Sequence, residues 1–204
     1  MKMILGIDEV GKGPLGGPVS VCVVACEYKI YRKLKNSKYL PVVGKDSKKL
    51  KPEERNKFDK ILKSFSKEGK IFYAVTHIGN KTIDSQGIVF AIKKAMSSSL
   101  KKLGFDAKNC RVLLDGNLKA PDEFLDQQTI IKGDEKEKII AWASILAKVS
   151  RDKLMCQLSK KFPVYGFDSH KGYGTKGHRS LIELHGISEL HRRTFCRNLK
   201  ISIG

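Results

Sequence analysis

Residues 2–26 constrain the fold more than any other stretch. Two apolar, β-branched runs, Lys2 to Asp8 and Val19 to Cys26, flank a turn that holds four glycines, two prolines and one lysine between Gly11 and Pro18. Such runs, joined by a short glycine-rich segment, are expected to pair as an antiparallel hairpin. The first run delivers two adjacent carboxylates, Asp8 and Glu9, straight into the turn. Neighbouring side chains on a regular strand leave on opposite faces, but a bulge or turn at a strand's end lets both reach one cation. Carboxylate oxygens are the ligands that Mg²⁺ and Mn²⁺ prefer. Glycine lets backbone approach a ligand closely and turn its N–H groups toward phosphate. Carboxylates, a hard cation and phosphate together suggest metal-dependent phosphodiester chemistry. On spacing alone, a solvated strand end followed by a glycine hairpin is an equal alternative.

The remaining pattern extends the hairpin into an α/β domain. Lys29 to Leu40 reads as a basic, irregular stretch. Pro52 to Lys67 reads as a helix, with proline in its first turn and an apolar stripe of Phe58, Ile61, Leu62 and Phe65. Lys70 to His77 is expected as a third strand. Asn80 to Leu103 should be helical with an interruption near Gly87, ending at Gly104 as a C-cap does. Cys110 to Leu114 and Gln128 to Ile131 read as further strands, and Lys136 to Lys161 as one long helix. A shorter helix follows Thr175 and stops near Gly186. This order predicts a mixed five-stranded sheet flanked by helices, its first three strands an antiparallel meander and its later ones parallel to the first. Asp8, Asp115 and Asp134 then fall at or just beyond strand C-termini, where open α/β sheets place their sites. Acids brought together from separate strands repel one another without a cation, so the convergence itself predicts metal.

Charge and cysteine usage narrow the class. The 204 residues suffice for one main domain. Forty Lys and Arg against 21 Asp and Glu leave a formal charge of +19, which favours a polyanionic partner, above all nucleic acid. A solubilising lysine surface would produce the same excess. No apolar run approaches the ~20 residues of a membrane helix, and no signal peptide precedes the first strand, so a cytoplasmic protein is expected. The cysteines Cys22, Cys26, Cys110, Cys156 and Cys196 are odd in number and lack a CxxC pair. Reduced thiols are therefore expected instead of a disulfide framework or a zinc site.

The chain resembles the type 2 ribonucleases H, most closely the bacterial ribonuclease HII family. The family's Asp-Glu, Gly-Arg-Gly-Pro and second Gly-Pro correspond to Asp8 through Pro18. Its Asp-Ser-Lys-Lys-Leu corresponds to Asp46 to Leu50. Its strand-ending aspartate corresponds to Asp115, followed by Gly116. Its Lys-Gly-Asp and following helix correspond to Lys132 to Asp134 and Ala143 to Val149. Its tyrosine motif corresponds to Tyr165-Gly166-Phe167 and His170 to Thr175. These signatures keep the family's order and span nearly the whole chain.

The resemblance implies a ribonuclease H-like fold, with residues 1–204 as one catalytic domain and about 163–204 as a C-terminal helical, substrate-binding extension. It implies an endonuclease that cuts the RNA strand of RNA–DNA hybrids and cuts beside single ribonucleotides embedded in duplex DNA, as in ribonucleotide excision repair. Asp8, Glu9, Asp115 and Asp134 become an acidic site for divalent metal, Mg²⁺ or Mn²⁺. Two such ions would activate water and stabilise the leaving 3′-oxygen, giving 5′-phosphate and 3′-hydroxyl ends. Gly11, Lys12, Gly13 and Tyr173 become the ribonucleotide reader, with backbone near the 2′-hydroxyl and the tyrosine ring on the adjoining sugar. Lys45, Ser47, Lys48 and Lys148 are candidate phosphate contacts. Lys12 stands where the family usually has arginine, so it keeps the charge and loses the bidentate fork. The related ribonuclease HIII family carries an extra N-terminal domain, for which a strand starting at residue 2 leaves no room.

Other residues have plainer readings. His170 and His178 are expected in structural or phosphate contacts, Asp152 in an ion pair that orients the long helix, and Trp142 in the core. Gln157 to Phe162 faintly matches a sliding-clamp peptide but lies inside an expected helix. A monomer is expected. Two other functions stay open at this level: a different metal nuclease of the same broad fold, and a non-catalytic nucleic-acid-binding protein.

Overall fold

In a computed structural model, which describes residues 2–37, 40 and 50–199, the strands are β1 (Met3–Val10), β2 (Val19–Glu27), β3 (Ile71–Ile78), β4 (Cys110–Asp115) and β5 (Asp126–Ile130). They form one sheet in the order β3-β2-β1-β4-β5. β1 pairs antiparallel with β2 and β2 with β3, whereas β1–β4 and β4–β5 are parallel. The expected meander and its parallel continuation are both present. β5 begins two residues before the expected Gln128 and ends one earlier, because its Asp126 and Gln127 are polar edge-strand residues that carry no apolar signal.

Alternation along β1 and β2 builds two cores. Ile4 and Val10 of β1, with Cys22, Val24 and Cys26 of β2, face one layer, and Met3, Leu5 and Ile7, with Val21 and Val23, face the other. Against the first face lie α1 (Tyr28–Leu34), α2 (Pro52–Lys67) and α6 (Lys138–Ser159); against the second lie α3 (Asn80–Gln86) and α4 (Ile88–Leu103). Gly87, at φ +84°, separates α3 from α4 where an interruption was expected. Gly104 caps α4 in the left-handed conformation.

Two expectations need correction. Residues 28–34 are helical, not irregular: Ile30, Tyr31 and Leu34 form one apolar stripe among lysines, and Tyr31 is buried with its ring edge-to-face on Trp142 at 5.7 Å. The long helix is also not continuous from Lys136. Glu137 is extended, dividing the four-residue α5 (Gly133–Lys136) from α6. Trp142 is fully buried, as expected of a core residue. Beyond α6 the chain turns through short helices α7 (Phe167–His170), α8 (Lys176–His185) and α9 (Arg193–Cys196). Leu158 and Phe162 pack there with Met155, Tyr165, Phe167 and Leu190, so the Gln157–Phe162 segment turns its apolar side chains into a small core.

All five cysteines are free thiols, four of them buried. Among the described residues, no helix is long and apolar enough to cross a membrane.

The α6 backbone passes against β1 at Gly6. A Cβ there would strike the Ile139 carbonyl carbon and oxygen and come within 2.8 Å of the Ile140 nitrogen. These are backbone atoms of a buried helix and cannot swing aside. Gly6→Ala should therefore destabilise the protein by at least ~1–3 kcal/mol, measurable as a lower midpoint in urea unfolding with an unchanged slope.

Candidate active site

Register places the acids. Ile7 of β1 pairs with Leu114 of the parallel β4, so Asp8 and Asp115 follow one step later on adjacent strands. Gly6 and Leu113 pair and face α6, so two-residue alternation puts Asp8 and Asp115 on that same face. Asp115 pairs with Ile130 of β5. Two residues on, Lys132 adopts a left-handed conformation at φ 55°, turning the chain into α5, whose second residue is Asp134. The Gly133 N–H donates to Asp115 Oδ1 at 2.6 Å, tying this turn to β4. Asp8 is 4% exposed and Asp134 6%.

These carboxylates lie within one another's electrostatic reach. Burial, then the charge of Glu9, pushes the Asp8 carboxyl well above the usual range; Asp115 and Asp134 add to the rise, and a hydrogen bond with Ser144 of α6 opposes it. The Glu9 N–H also donates to Asp8 Oδ1 at 2.7 Å. The arrangement is not a finished cage. The β1–β2 ladder runs regularly through Glu9 and Val10, so Glu9 leaves on the face opposite Asp8, and its carboxylate meets Lys12 Nζ at 3.8 Å. Among the described residues, no three His, Cys, Asp or Glu side chains are arranged to hold an ion. The donor set is nevertheless all oxygen, which suits a hard divalent cation. The repulsion registered at Asp8 is what such a cation would relieve.

The glycine turn lies beside the acids and is joined to the tyrosine motif. The N–H groups of Leu15 and Gly16 donate to the Gly172 carbonyl at 2.8 and 3.3 Å. Gly172, at φ +84°, allows this approach, since a Cβ there would strike the Gly16 oxygen. Tyr173 follows, half-buried, with Lys148 Nζ 5.6 Å and Arg151 Cζ 5.7 Å from its ring centre. Its carbonyl accepts from the Thr175 N–H at 2.8 Å and bonds His178 Nδ1 at 2.9 Å. Gly11, at φ +86°, has Arg151 directly behind it, whereas the missing Cβ of Gly13 faces open space. The structure thus gathers Gly11, Lys12, Gly13, Lys148 and Tyr173 around one turn. Lys45, Ser47 and Lys48 lie outside the described residues.

Two arginines underlie this assembly, neither of them among the expected site residues: in the sequence Arg151 stands out only as the neighbour of Asp152 on the long helix, and Arg192 not at all. Arg151 of α6 donates to the carbonyls of Pro18, Gly16 and Lys171 at 2.8, 3.3 and 2.9 Å. Arg192 donates to those of Gly17, Lys12 and Gly11 at 3.0, 2.9 and 2.6 Å. Both are fully buried. Burial and the neighbouring Arg151 charge lower Arg192 to about 9, so it stays cationic at neutral pH. With Arg151 so occupied, Asp152 pairs with Lys148 at 2.9 Å and Arg55 at 3.5 Å, orienting α6 against α2.

The histidines are structural. His191 Nδ1 accepts from the Ser188 N–H at 2.9 Å, which leaves its Nε2–H to donate to His178 Nε2 at 3.1 Å. His178 Nδ1–H then donates to the Tyr173 carbonyl. Burial lowers both rings to about 4, so this wiring is neutral at physiological pH. His170 stacks on His178 at 3.9 Å between ring centres and bonds the Tyr165 carbonyl.

Comparison with known proteins places the chain in a family. The family model described as Ribonuclease HII matches residues 5–198. The chain belongs to the ribonuclease HII family. It is 42% identical over 200 residues to the Ribonuclease HII of Caldicellulosiruptor saccharolyticus, covering 97% of this chain and 89% of that one. Among solved structures it resembles the ribonuclease HII in the PCNA:RNase HII complex from Archaeoglobus fulgidus, with a TM-score of 0.68 and 25% identity over 93% of each chain. It also shares its fold with Bst-RNase HIII in complex with Mn²⁺, at a TM-score of 0.62 and 17% identity over 98% of this chain and 66% of that one. The protein is a ribonuclease H, an endoribonuclease cutting RNA within RNA–DNA hybrids, on a ribonuclease H-like fold.

The raised Asp8 pKa has a thermodynamic consequence for this ribonuclease HII. Between the ordinary carboxylate range and the raised folded value, the folded state keeps a proton that the unfolded chain has released. Stability therefore falls as pH rises through that window. In chelator at pH 7, Asp8→Asn should raise the melting temperature, and the gain should vanish below about pH 4, where both states are protonated. Differential scanning calorimetry at the two pH values would test this.

Proposed function

We propose that this ribonuclease HII cuts beside single ribonucleotides embedded in duplex DNA as well as within RNA–DNA hybrids, and so serves ribonucleotide excision repair in the cytoplasm. The observation that carries this reading is the direct backbone union of the glycine turn with the tyrosine motif, Leu15 and Gly16 to Gly172, beside buried acids. A nuclease that needs only phosphate and metal has no use for a turn welded to an aromatic ring. An enzyme that must find one 2′-hydroxyl needs both in register.

In this reading Asp8, Asp115 and Asp134 hold divalent cations, Mg²⁺ or Mn²⁺, and Glu9, which leaves β1 on the other face but whose charge acts on Asp8, joins them around the strand's end; the Mn²⁺ bound by Bst-RNase HIII is consistent with that chemistry. Two such ions, when bound, supply water activation and charge neutralisation at the leaving 3′-oxygen, yielding 5′-phosphate and 3′-hydroxyl ends. The chain's own residues supply position. Gly13, open on its substrate side, admits the sugar, and Gly11 gives the turn its left-handed start. Tyr173 backs the adjoining sugar with its ring. Lys12 and Lys148 contact phosphate, joined by Lys45, Ser47 and Lys48 of the Asp-Ser-Lys-Lys-Leu segment. Residues 163–204 act as a substrate-binding extension because they carry Tyr173 and Arg192 to the turn. The protein works as a monomer.

Three matched, labelled duplexes test the proposal: all-DNA, DNA with one ribonucleotide, and an RNA–DNA hybrid. Cleavage of the second and third but not the first is expected, and equal cutting of all-DNA would refute it. Asp115→Asn should abolish cleavage while retaining duplex binding, since it removes a charge that repels phosphate; wild-type turnover in excess chelator would disprove the metal role. Tyr173→Ala should slow cutting at the single ribonucleotide more than Tyr173→Phe does. Ring contacts of this kind contribute ~1–3 kcal/mol, and misalignment adds to the rate loss. Lys12→Arg should raise the single-ribonucleotide rate relative to the hybrid rate by restoring the fork. Unchanged rates in Tyr173→Ala would remove the tyrosine from the reader.

Binding should also weaken steeply from low to physiological salt, as counterion release from several phosphates requires. A flat titration would show that the +19 charge only solubilises the chain.

A further inference from the structure

The buried Arg192 guanidinium makes three bonds to the glycine turn, and two of them fall on consecutive peptide units. Its Nη2 takes the Gly11 carbonyl at 2.6 Å and its Nη1 the Lys12 carbonyl at 2.9 Å. The turn contains no cis peptide bond. In a planar trans peptide the C=O and the following N–H point in opposite directions. Drawing the Gly11 and Lys12 carbonyls inward onto one guanidinium therefore aims the N–H groups of Lys12 and Gly13 outward together. Lys12 and Gly13 are exposed, and nothing lies within 4 Å of the space where a Gly13 side chain would be. Neither N–H is taken by another group of the protein among the described residues.

We infer that Arg192 is a positioning residue for ribonucleotide selection: it sets the polarity of two successive peptides so that paired donors face the substrate's ribose oxygen and the adjacent phosphate. The inference rests on the reading that this turn recognises the ribonucleotide, and it adds the device that orients it. The remaining bonds support the same role. Arg192 Nε holds the Gly17 carbonyl at 3.0 Å and its own N–H holds the Leu15 carbonyl at 2.7 Å, so both limbs of the turn are anchored to one residue. Arg151 secures the Gly16 and Pro18 carbonyls from the other side. A surface lysine could not replace this clamp, because one ammonium lacks the planar fork that spans three carbonyls. The guanidinium also places a buried positive charge beneath the outward donors, and charge of that sign favours an approaching oxygen.

Arg192→Lys tests the inference, with affinity measured in chelator so that nothing is cleaved. Two duplexes are compared that differ only in one ribonucleotide. Wild type should prefer the ribonucleotide duplex. The variant, if its thermal melt shows it folded, should lose at least about tenfold of that preference. Its affinity for the all-DNA duplex should stay near the wild-type value, because surface lysines still meet the phosphates. A generally loosened protein would lose both affinities together, and that result would overturn the inference, as would a folded variant with its preference intact. Should Arg192→Lys fail to fold, the wild-type amide resonances of Lys12 and Gly13 decide. They should shift more with the ribonucleotide duplex than with all-DNA; identical shifts would reject the role. If wild type itself binds both duplexes equally, the ribonucleotide-reading turn is wrong, and Arg192 falls with it; a wild-type preference that survives Arg192→Lys rejects Arg192 alone.

Discussion

The α6 backbone lies against β1 at Gly6 with no room for a Cβ between them, and the rest of the site takes its position from that contact. Along the helix, Ile139, Trp142 and Ile145 fill the first core layer. On the same helix, one turn beyond Ile140, Ser144 reaches Asp8. Beyond it, Lys148 and Arg151 stand over Tyr173, and Arg151 runs on to the turn. One rigid, buried helix therefore sets the distances among the acids, Tyr173 and the turn. A looser fit at Gly6 would shift all of them together, and misplacement of reacting groups by even ~1 Å is costly to a hydrolase.

The site buries charge of both signs by different means. Arg151 and Arg192 are satisfied internally by six carbonyl bonds, so they remain charged while fully buried. Asp8 has Ser144 and the Glu9 N–H but also three acidic neighbours, and its carboxyl is driven toward the neutral form. The cationic part is satisfied within the fold; at Asp8 the carboxylates repel one another, which a divalent cation would relieve. That asymmetry suits a nucleic-acid enzyme, whose frame must be rigid before substrate and metal arrive.

Much of this was legible in the sequence because the signals are local. Hydrophobic runs, Gly87 and Gly104 marked strands and helix limits that the structure repeats. The convergence of Asp8 and Asp115 followed from their place at strand ends, and parallel register supplies it. What escaped reading depends on tertiary context. The α1 helix has only Ile30, Tyr31 and Leu34 to mark it among basic residues. A bulge that would turn Asp8 and Glu9 the same way does not form, since pairing with β2 continues to Val10. Arg151 and Arg192 are indistinguishable in type from the other basic residues of a chain with 40 Lys and Arg; burial alone singles them out, and burial of an arginine has no sequence signature.

Lys12 joins the two halves of the site. Its ammonium stands 3.8 Å from Glu9 and its side chain is 60% exposed, so this pair contributes only ~0–1 kcal/mol. It is therefore easily exchanged. In the proposed reading, a phosphate at the turn would offer Lys12 a stronger partner than a carboxylate 3.8 Å away, and Lys12 leaving Glu9 would restore a negative charge that acts on Asp8. An arginine at this position would make a more directional contact and release it less readily. In the proposed reading, the lysine would give up grip on phosphate for ease of transfer away from Glu9, and a single side chain would link filling of the turn to the charge beside Asp8.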